Sequence, residues 1–237
     1  MKERDSQKMM MGGLEKRDQR QKVKAVVFDF DGTLAVLNIN FQLMRERFFD
    51  LINLFGIERE LIKERYVLEM INEVYLILLE RNPSKAKDFY HRAHQVLKEV
   101  ELHAAEDGRL IPGVEATLRG LRKKGIKVGI VTRNCGEAVL KVFPNLYDHC
   151  DLFISRDSVG RVKPHPDHLN SVMKGLDLSG EETIMVGDHP IDIQAGKKAG
   201  MKTVGVLTGK TKREEFERAE ADYILRDATE IYQVLEQ

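Results

Sequence analysis

The chain has 237 residues, and 38 Lys and Arg balance 38 Asp and Glu. That length can bury a core without cross-links and suits one large domain or a core with a smaller attachment. The balance excludes a basic nucleic-acid binder and an acidic disordered chain, no apolar run approaches membrane-spanning length, and Cys135 and Cys150 read as free thiols of a cytosolic protein.

Residues 1–22 are charged and lack the apolar core of a signal peptide, so they are expected to form a flexible tail. Ala25 to Phe28 is an apolar, β-favouring run that ends in Asp29-Phe30-Asp31-Gly32-Thr33-Leu34. Side chains two apart on a strand share a side, so Asp29 and Asp31 should emerge together at the carboxyl end unless the turn re-aims the second. In open α/β sheets that edge is where ligands bind. Two adjacent carboxylates repel, and a divalent cation is one way to compensate them. A turn aspartate beside a helix-capping aspartate is the plainer alternative.

From 36 to 107 Gly and Pro are scarce and apolar residues recur at helical spacing. Phe41, Met44, Phe48, Ile52 and Phe55 mark the inner face of a first helix, broken by Gly56. A second helix is expected from about Glu58 to Glu80, with Leu61, Leu68, Ile71, Tyr75 and Leu78 inward. Asn82-Pro83-Ser84 ends it, and Ser84 can start a third helix running to about Ala105. His91, His94 and His103 in that helix read as packing or surface residues. A connection this long should be a module of its own or an enlarged crossover.

Strand–helix alternation resumes at Ile111-Pro112-Gly113. Helices are expected at Val114–Lys124, Gly136–Val142, Asp167–Lys174 and Asp192–Ala199. Strands are expected at Ile126–Val131, Leu152–Ile154, Thr183–Val186, Thr203–Val206 and Tyr223–Leu225. Asp227 and Glu230 have the spacing of a capping box for a last helix. The alternation predicts an α/β fold, a Rossmann-like parallel sheet with helices on both faces, carrying the helical insert.

Asp29-Phe30-Asp31-Gly32-Thr33-Leu34 resembles the first motif, DxDGT, of the haloacid dehalogenase superfamily of phosphohydrolases. Thr132 after Val128-Gly129-Ile130-Val131, Lys163 in Lys163-Pro164-His165-Pro166, and Gly187-Asp188-His189-Pro190-Ile191-Asp192 resemble its second, third and fourth motifs, in the family's order. The tail from Ala199-Gly200 to Gly205-Val206-Leu207-Thr208-Gly209 is similar to the phosphoglycolate phosphatase branch, and pyrophosphatase-like and phosphomutase-like relatives share it.

The resemblance implies a core of 23–35 and 108–237 with residues 36–107 as an α-helical cap of the C1 type. It implies a Mg²⁺-dependent phosphatase of a small phosphate monoester that works through an aspartyl-phosphate. Asp29 would be the nucleophile and Asp31 the general acid and base. Asp31 also favours phosphoryl transfer over dehalogenation, because a halide leaving group needs no proton. Thr132 and Lys163 would complete the catalytic set. Asp29, the Asp31 backbone and Asp188 would hold the metal, with Asp192 behind them on Lys163 or a metal-bound water. Gly32, Thr132, Arg133, Asn134 and Lys163 would meet the transferred phosphate. Arg133 either touches substrate or is solvated, and His189 either narrows the site or adds a contact.

The expected partner is a small phosphorylated metabolite, with no nucleic acid or membrane, acting on a monomer or homodimer. A β-phosphoglucomutase-like phosphomutase, a pyrophosphatase-like member and a non-catalytic binding protein on the same scaffold are the alternatives.

Overall fold

The computed structural model describes residues 23–236; the tail expected over 1–22 lies outside the described residues. Six strands form one parallel sheet: β1 (Ala25–Phe28), β4 (Lys127–Val131), β5 (Leu152–Ile154), β6 (Thr183–Gly187), β7 (Lys202–Val206) and β8 (Tyr223–Leu225). Their order is β5-β4-β1-β6-β7-β8. After β1 the chain fills one side with β4 and β5, then crosses back to place β6 on the other side of β1. Strand order therefore reverses around β1, where doubly wound sheets open a crevice at their carboxyl edge. The motifs expected on β1, β4 and β6 end three neighbouring strands.

Each β1 residue is fully buried, and the alternation divides them between the faces. Val26 and Phe28 join one apolar cluster, while Ala25 and Val27 join another with Val172 and Leu176. This two-sided burial is why the strand reads as a continuous apolar run. Helices α4 (Val114–Lys123), α5 (Gly136–Val142), α6 (Asp167–Leu176), α7 (Pro190–Lys198), α8 (Arg213–Arg218) and α9 (Tyr232–Leu235) complete the α/β fold.

The insert contains α1 (Phe41–Leu54), α2 (Val67–Arg81) and α3 (Pro83–Ala104). Met44, Phe48 and Ile52 of α1 are buried, and Phe48 and Phe55 pack edge-on against Phe89 of α3, with ring centroids 6.3 and 5.4 Å apart. Phe41, expected inward, begins the helix exposed. The second helix starts at Val67 instead of Glu58. Glu73 reaches back and accepts hydrogen bonds from Lys63 N and Glu64 N, at 3.0–3.1 Å, which holds that stretch as a loop. Leu61, expected inward, ends a short 3-10 turn over Arg59–Leu61 and is exposed. Asn82, and not Ser84, caps α3, accepting from Lys85 N at 3.1 Å with Pro83 in the first turn. Asp227 caps the last turn through Thr229 N, whereas Glu230 accepts from Arg226 N, so the expected reciprocal box does not form.

Two short antiparallel strands, β2 (Ala35–Val36) and β3 (Arg109–Leu110), tie the entrance of the insert to its exit. Two-residue strands leave no periodicity in a sequence, so they escape pattern reading. Among the described residues no helix is long and apolar enough to cross a membrane. Cys135 and Cys150 are both buried and free.

The end of α3 is anchored by a buried ion pair. Glu101 receives Arg156 Nη1 and Nη2 at 2.5 and 2.9 Å and also Cys135 N at 2.9 Å. Both side chains are at most 5% exposed. Removing one partner strands the other charge in the interior, so Arg156→Met is expected to lower unfolding stability by about 3–5 kcal/mol. Urea titration checks this: Glu101→Gln combined with Arg156→Met should recover part of the loss, and a single-variant loss below about 1 kcal/mol would show that water reaches the pair.

Candidate active site

Asp29 follows β1, and its N–H donates to Val186 O at 2.8 Å, which locks the first motif to β6. Lys163 enters from the loop between β5 and α6. Its ammonium donates to Asp29 Oδ1 at 2.5 Å, to Asp192 Oδ1 at 2.7 Å and to Val131 O at 3.3 Å. At 1% exposure Lys163 has no solvent to fall back on. The contact expected between Asp192 and Lys163 is present. Asp192 also serves its own helix, accepting from His189 N at 3.1 Å, so it fulfils the structural and the electrostatic role together.

Asp188 follows β6 and is wedged between two glycine turns. A Cβ on Gly32 would lie 2.2 Å from Asp188 Oδ2, and one on Gly209 would lie 1.9 Å from it. Gly32 also has φ +81°, a left-handed conformation that disfavours side chains. Thr208 closes this corner by donating to Gly32 O at 2.5 Å.

Ligand oxygens of Asp29, Asp188 and Asp192 all lie within 4.8 Å of one another. Asp31 is not in that cluster: the Gly32 turn re-aims it, and its Oδ1 accepts from Leu37 N at 2.8 Å. Of the two outcomes expected for the first motif, the structure has the one in which the turn re-aims the second carboxylate.

One lysine does not balance this acidity. Burial, opposed by Lys163 and reinforced by Asp192, pushes the Asp29 carboxyl up to about 6. Burial and then the neighbouring Asp29 and Asp192 push Asp188 up to about 9. Burial also lifts Asp31 to about 7, partly countered by the Leu37 N–H. Burial opposes the charge on Lys163, but Asp192 and Asp29 outweigh it and hold the ammonium above its ordinary value. A cluster of hard oxygen donors that is short of positive charge fits a divalent cation of the Mg²⁺ type.

Thr132, 1% exposed, ends β4, and its N–H donates to Ile154 O at 3.1 Å. Its hydroxyl accepts from Asn134 N at 3.1 Å. The buried Asn134 Nδ2 has no hydrogen-bond partner among the described residues.

Arg133 is partly exposed but paired. Both terminal nitrogens bind the Glu69 carboxylate, each at 2.8 Å, and Nη1 also donates to Lys163 O. Tyr66 lies 5.6 Å from this guanidinium and packs edge-on against His189 at 5.9 Å. His189 Nδ1 accepts from Ile191 N at 3.1 Å, so the neutral ring carries its proton on Nε2. Burial holds its pKa below the ordinary value.

His165 is a turn residue, accepting from Asp167 N at 3.2 Å. His168, three residues on, is fully buried and accepts from Lys163 N at 3.2 Å, which fixes the backbone that delivers the ammonium. Burial and Lys163 push its pKa down to about 3, so it stays neutral. Its place two residues after Pro166, on the inner face of α6, was the available signal. Glu69 and Tyr66 left none, because their partners lie far along the chain. Of the α3 histidines, His94 stacks on Tyr90 at 4.4 Å and His103 pairs with Glu106 on the surface.

The model of the haloacid dehalogenase-like hydrolase family matches residues 26–206, from β1 through β7. The chain belongs to the haloacid dehalogenase-like hydrolases. Pyrophosphatase PpaX of Bacillus mycoides (strain KBAB4) is 31% identical over 226 residues, covering 90% of this chain and 97% of that protein. Two solved structures share the architecture. A hydrolase from Pseudomonas syringae superposes with a TM-score of 0.63 at 20% identity, covering 90% of this chain and 98% of its own. CbbY from Rhodobacter sphaeroides, solved in complex with phosphate, superposes at 0.59 and 22% identity, covering 88% and 96%.

Proposed function

We propose that this hydrolase is a Mg²⁺-dependent phosphatase of a small phosphate monoester, phosphoglycolate-like in size and charge, working through an aspartyl-phosphate. The observation that supports it most is the buried meeting of Lys163 with Asp29 and Asp192 beside Asp188. A carboxylate nucleophile, a fixed cation and a metal-suited donor set then share one strand edge.

An oxygen of Asp29 attacks phosphorus while the bond to the leaving oxygen breaks. Asp31 gives that oxygen its proton, and the alcohol departs. Asp31 then takes a proton from the water that attacks the acyl phosphate, which frees phosphate and restores Asp29. Lys163 and Thr132 offset the charge on the transferred group, and Gly32, Arg133 and Asn134 line its surroundings. Mg²⁺, held by Asp29, Asp188 and the Asp31 backbone, would neutralise the repulsion between the anionic nucleophile and the anionic phosphate.

The helices of 36–107 act as a cap over this edge, with 23–35 and 108–237 as the core. A covered site suits a small metabolite over a polymer. The protein then works as a monomer or homodimer, and in the cytoplasm, a location supported by its free thiols. A second reading, hydrolysis of pyrophosphate, is favoured by the name of the Bacillus mycoides relative.

Phosphate release from pyrophosphate, phosphoglycolate and sugar phosphates tests these readings. Release from at least one substrate should stop with EDTA and return with Mg²⁺. Sugar-phosphate isomerisation without release would indicate a phosphomutase, and no metal-dependent turnover across the panel would favour a binding protein.

A further inference from the structure

Two arginines flank the loop after Thr132, and only one is free to change partner. Arg156 is committed to Glu101 in the interior and also donates to Arg133 O at 3.0 Å. Arg133 and Glu69 are 21% and 25% exposed, at a wet boundary where ion pairs exchange at little cost. The Arg133 guanidinium sits one lysine side chain from the nucleophile: Nη1 touches the Lys163 carbonyl, and Nζ of that same residue touches Asp29. Glu69 presents to it a planar edge of two oxygens, the shape in which a substrate phosphate or carboxylate would enter the same fork. Glu69 lies in the first turn of α2, where the helix N-terminus favours a carboxylate even when its partner leaves.

We propose that Arg133 selects substrates carrying a second anionic group close to the transferred phosphate, and that Glu69 holds the place of that group until substrate enters. The inference rests on the phosphatase reading and narrows its substrate class. A carboxylate, as in phosphoglycolate, and a second phosphate, as in pyrophosphate, share the required chemistry. Tyr66 and His189 form the wall beside this position, and they set how far from phosphorus the second anion can lie.

Calorimetric titration of the full chain with Mg²⁺ tests it, using methylenediphosphonate, phosphonoacetate and methylphosphonate as probes. The wild type should bind at least one doubly anionic probe about tenfold or more tighter than methylphosphonate. Comparison of the two doubly anionic probes separates a second phosphate from a carboxylate. Arg133→Gln should bring the preference close to unity, and Arg133→Lys, which keeps the charge but loses the fork, should retain only part of it. Glu69→Gln, which removes the competing carboxylate, should raise the preference. In turnover, Arg133→Gln should lower the ratio of kcat/KM for the preferred doubly anionic substrate over p-nitrophenyl phosphate, chiefly through KM. Melting curves confirm that each variant is folded.

No preference in the wild type, an unchanged preference in Arg133→Gln, or a parallel loss for all three probes would overturn the proposal and leave Arg133 a structural residue. A preference for probes without any turnover would instead overturn the phosphatase reading and leave the recognition standing.

Discussion

Asp29→Asn is expected to cut phosphate release by at least about four orders of magnitude, the scale on which losing a catalytic nucleophile falls. The amide has the size of the carboxyl, and its oxygen can still accept from Lys163, so the packing beside β1 survives. It cannot form the acyl phosphate, and it withdraws one oxygen donor from the acidic cluster. The fold should not suffer: burial already makes the ionised Asp29 unfavourable, pushing it up to about 6. Three measurements check this together. Phosphate release with Mg²⁺ should vanish. A hydroxylamine-sensitive phosphoryl adduct, trappable on the Asp29 peptide of the wild type, should be absent. The melting temperature should hold or rise. Turnover within about tenfold of wild type would transfer the nucleophile's role elsewhere.

Lys163→Met should damage both activity and stability, and the second effect should depend on pH. The ammonium is the buried cation in contact with Asp29 and Asp192. Loss of a preorganised charge of this kind lowers turnover by about a thousandfold. In the metal-free wild type, Asp29 and Asp188 are raised to about 6 and about 9, above the ordinary carboxylate value of about 4. The folded state then binds more protons than the unfolded one. Their contribution is whole below that ordinary value and is lost as pH rises through about 6 and then about 9.

Metal-free stability should therefore fall from acid toward alkaline pH, and Mg²⁺ should flatten the decline by stabilising the ionised forms. Without Lys163 these carboxyls rise further, so the variant should fall more steeply. The gap from wild type should widen from pH 5 toward pH 8, where it should reach about 3–5 kcal/mol, the scale for a stranded buried charge. Denaturant titration at both pH values with EDTA reads it. A gap that is constant with pH would mean that the shifts of Asp29 and Asp188 do not depend on the Lys163 charge.

The site was legible in the sequence to the extent that local chemistry marks it. Asp29, Asp31 and Gly32 end an apolar run, Thr132 ends another, and Asp188 and Asp192 bracket the proline that starts a helix. Each is a strand terminus or a helix start, features that depend on neighbours a few residues away. The six-stranded α/β sheet was legible for the same reason, since every strand buried on both faces leaves a solid apolar block. The start of α2 was not, because Glu73 holds Lys63 and Glu64 out of the helix through contacts that propensity does not contain.

By itself the sequence determined which groups this protein can bring together: two carboxylates at the end of the first strand, a lysine followed by a proline, and an acidic pair four residues apart. The tertiary structure decided who faces whom. It turned Asp31 away from the acidic cluster toward Leu37 N, brought Glu69 across 64 positions onto Arg133, and placed His168 beneath Lys163. Strand and helix patterns arise from short-range sterics and burial, whereas these pairings depend on how the loops between them are turned and, for Glu69, on the insert meeting the core.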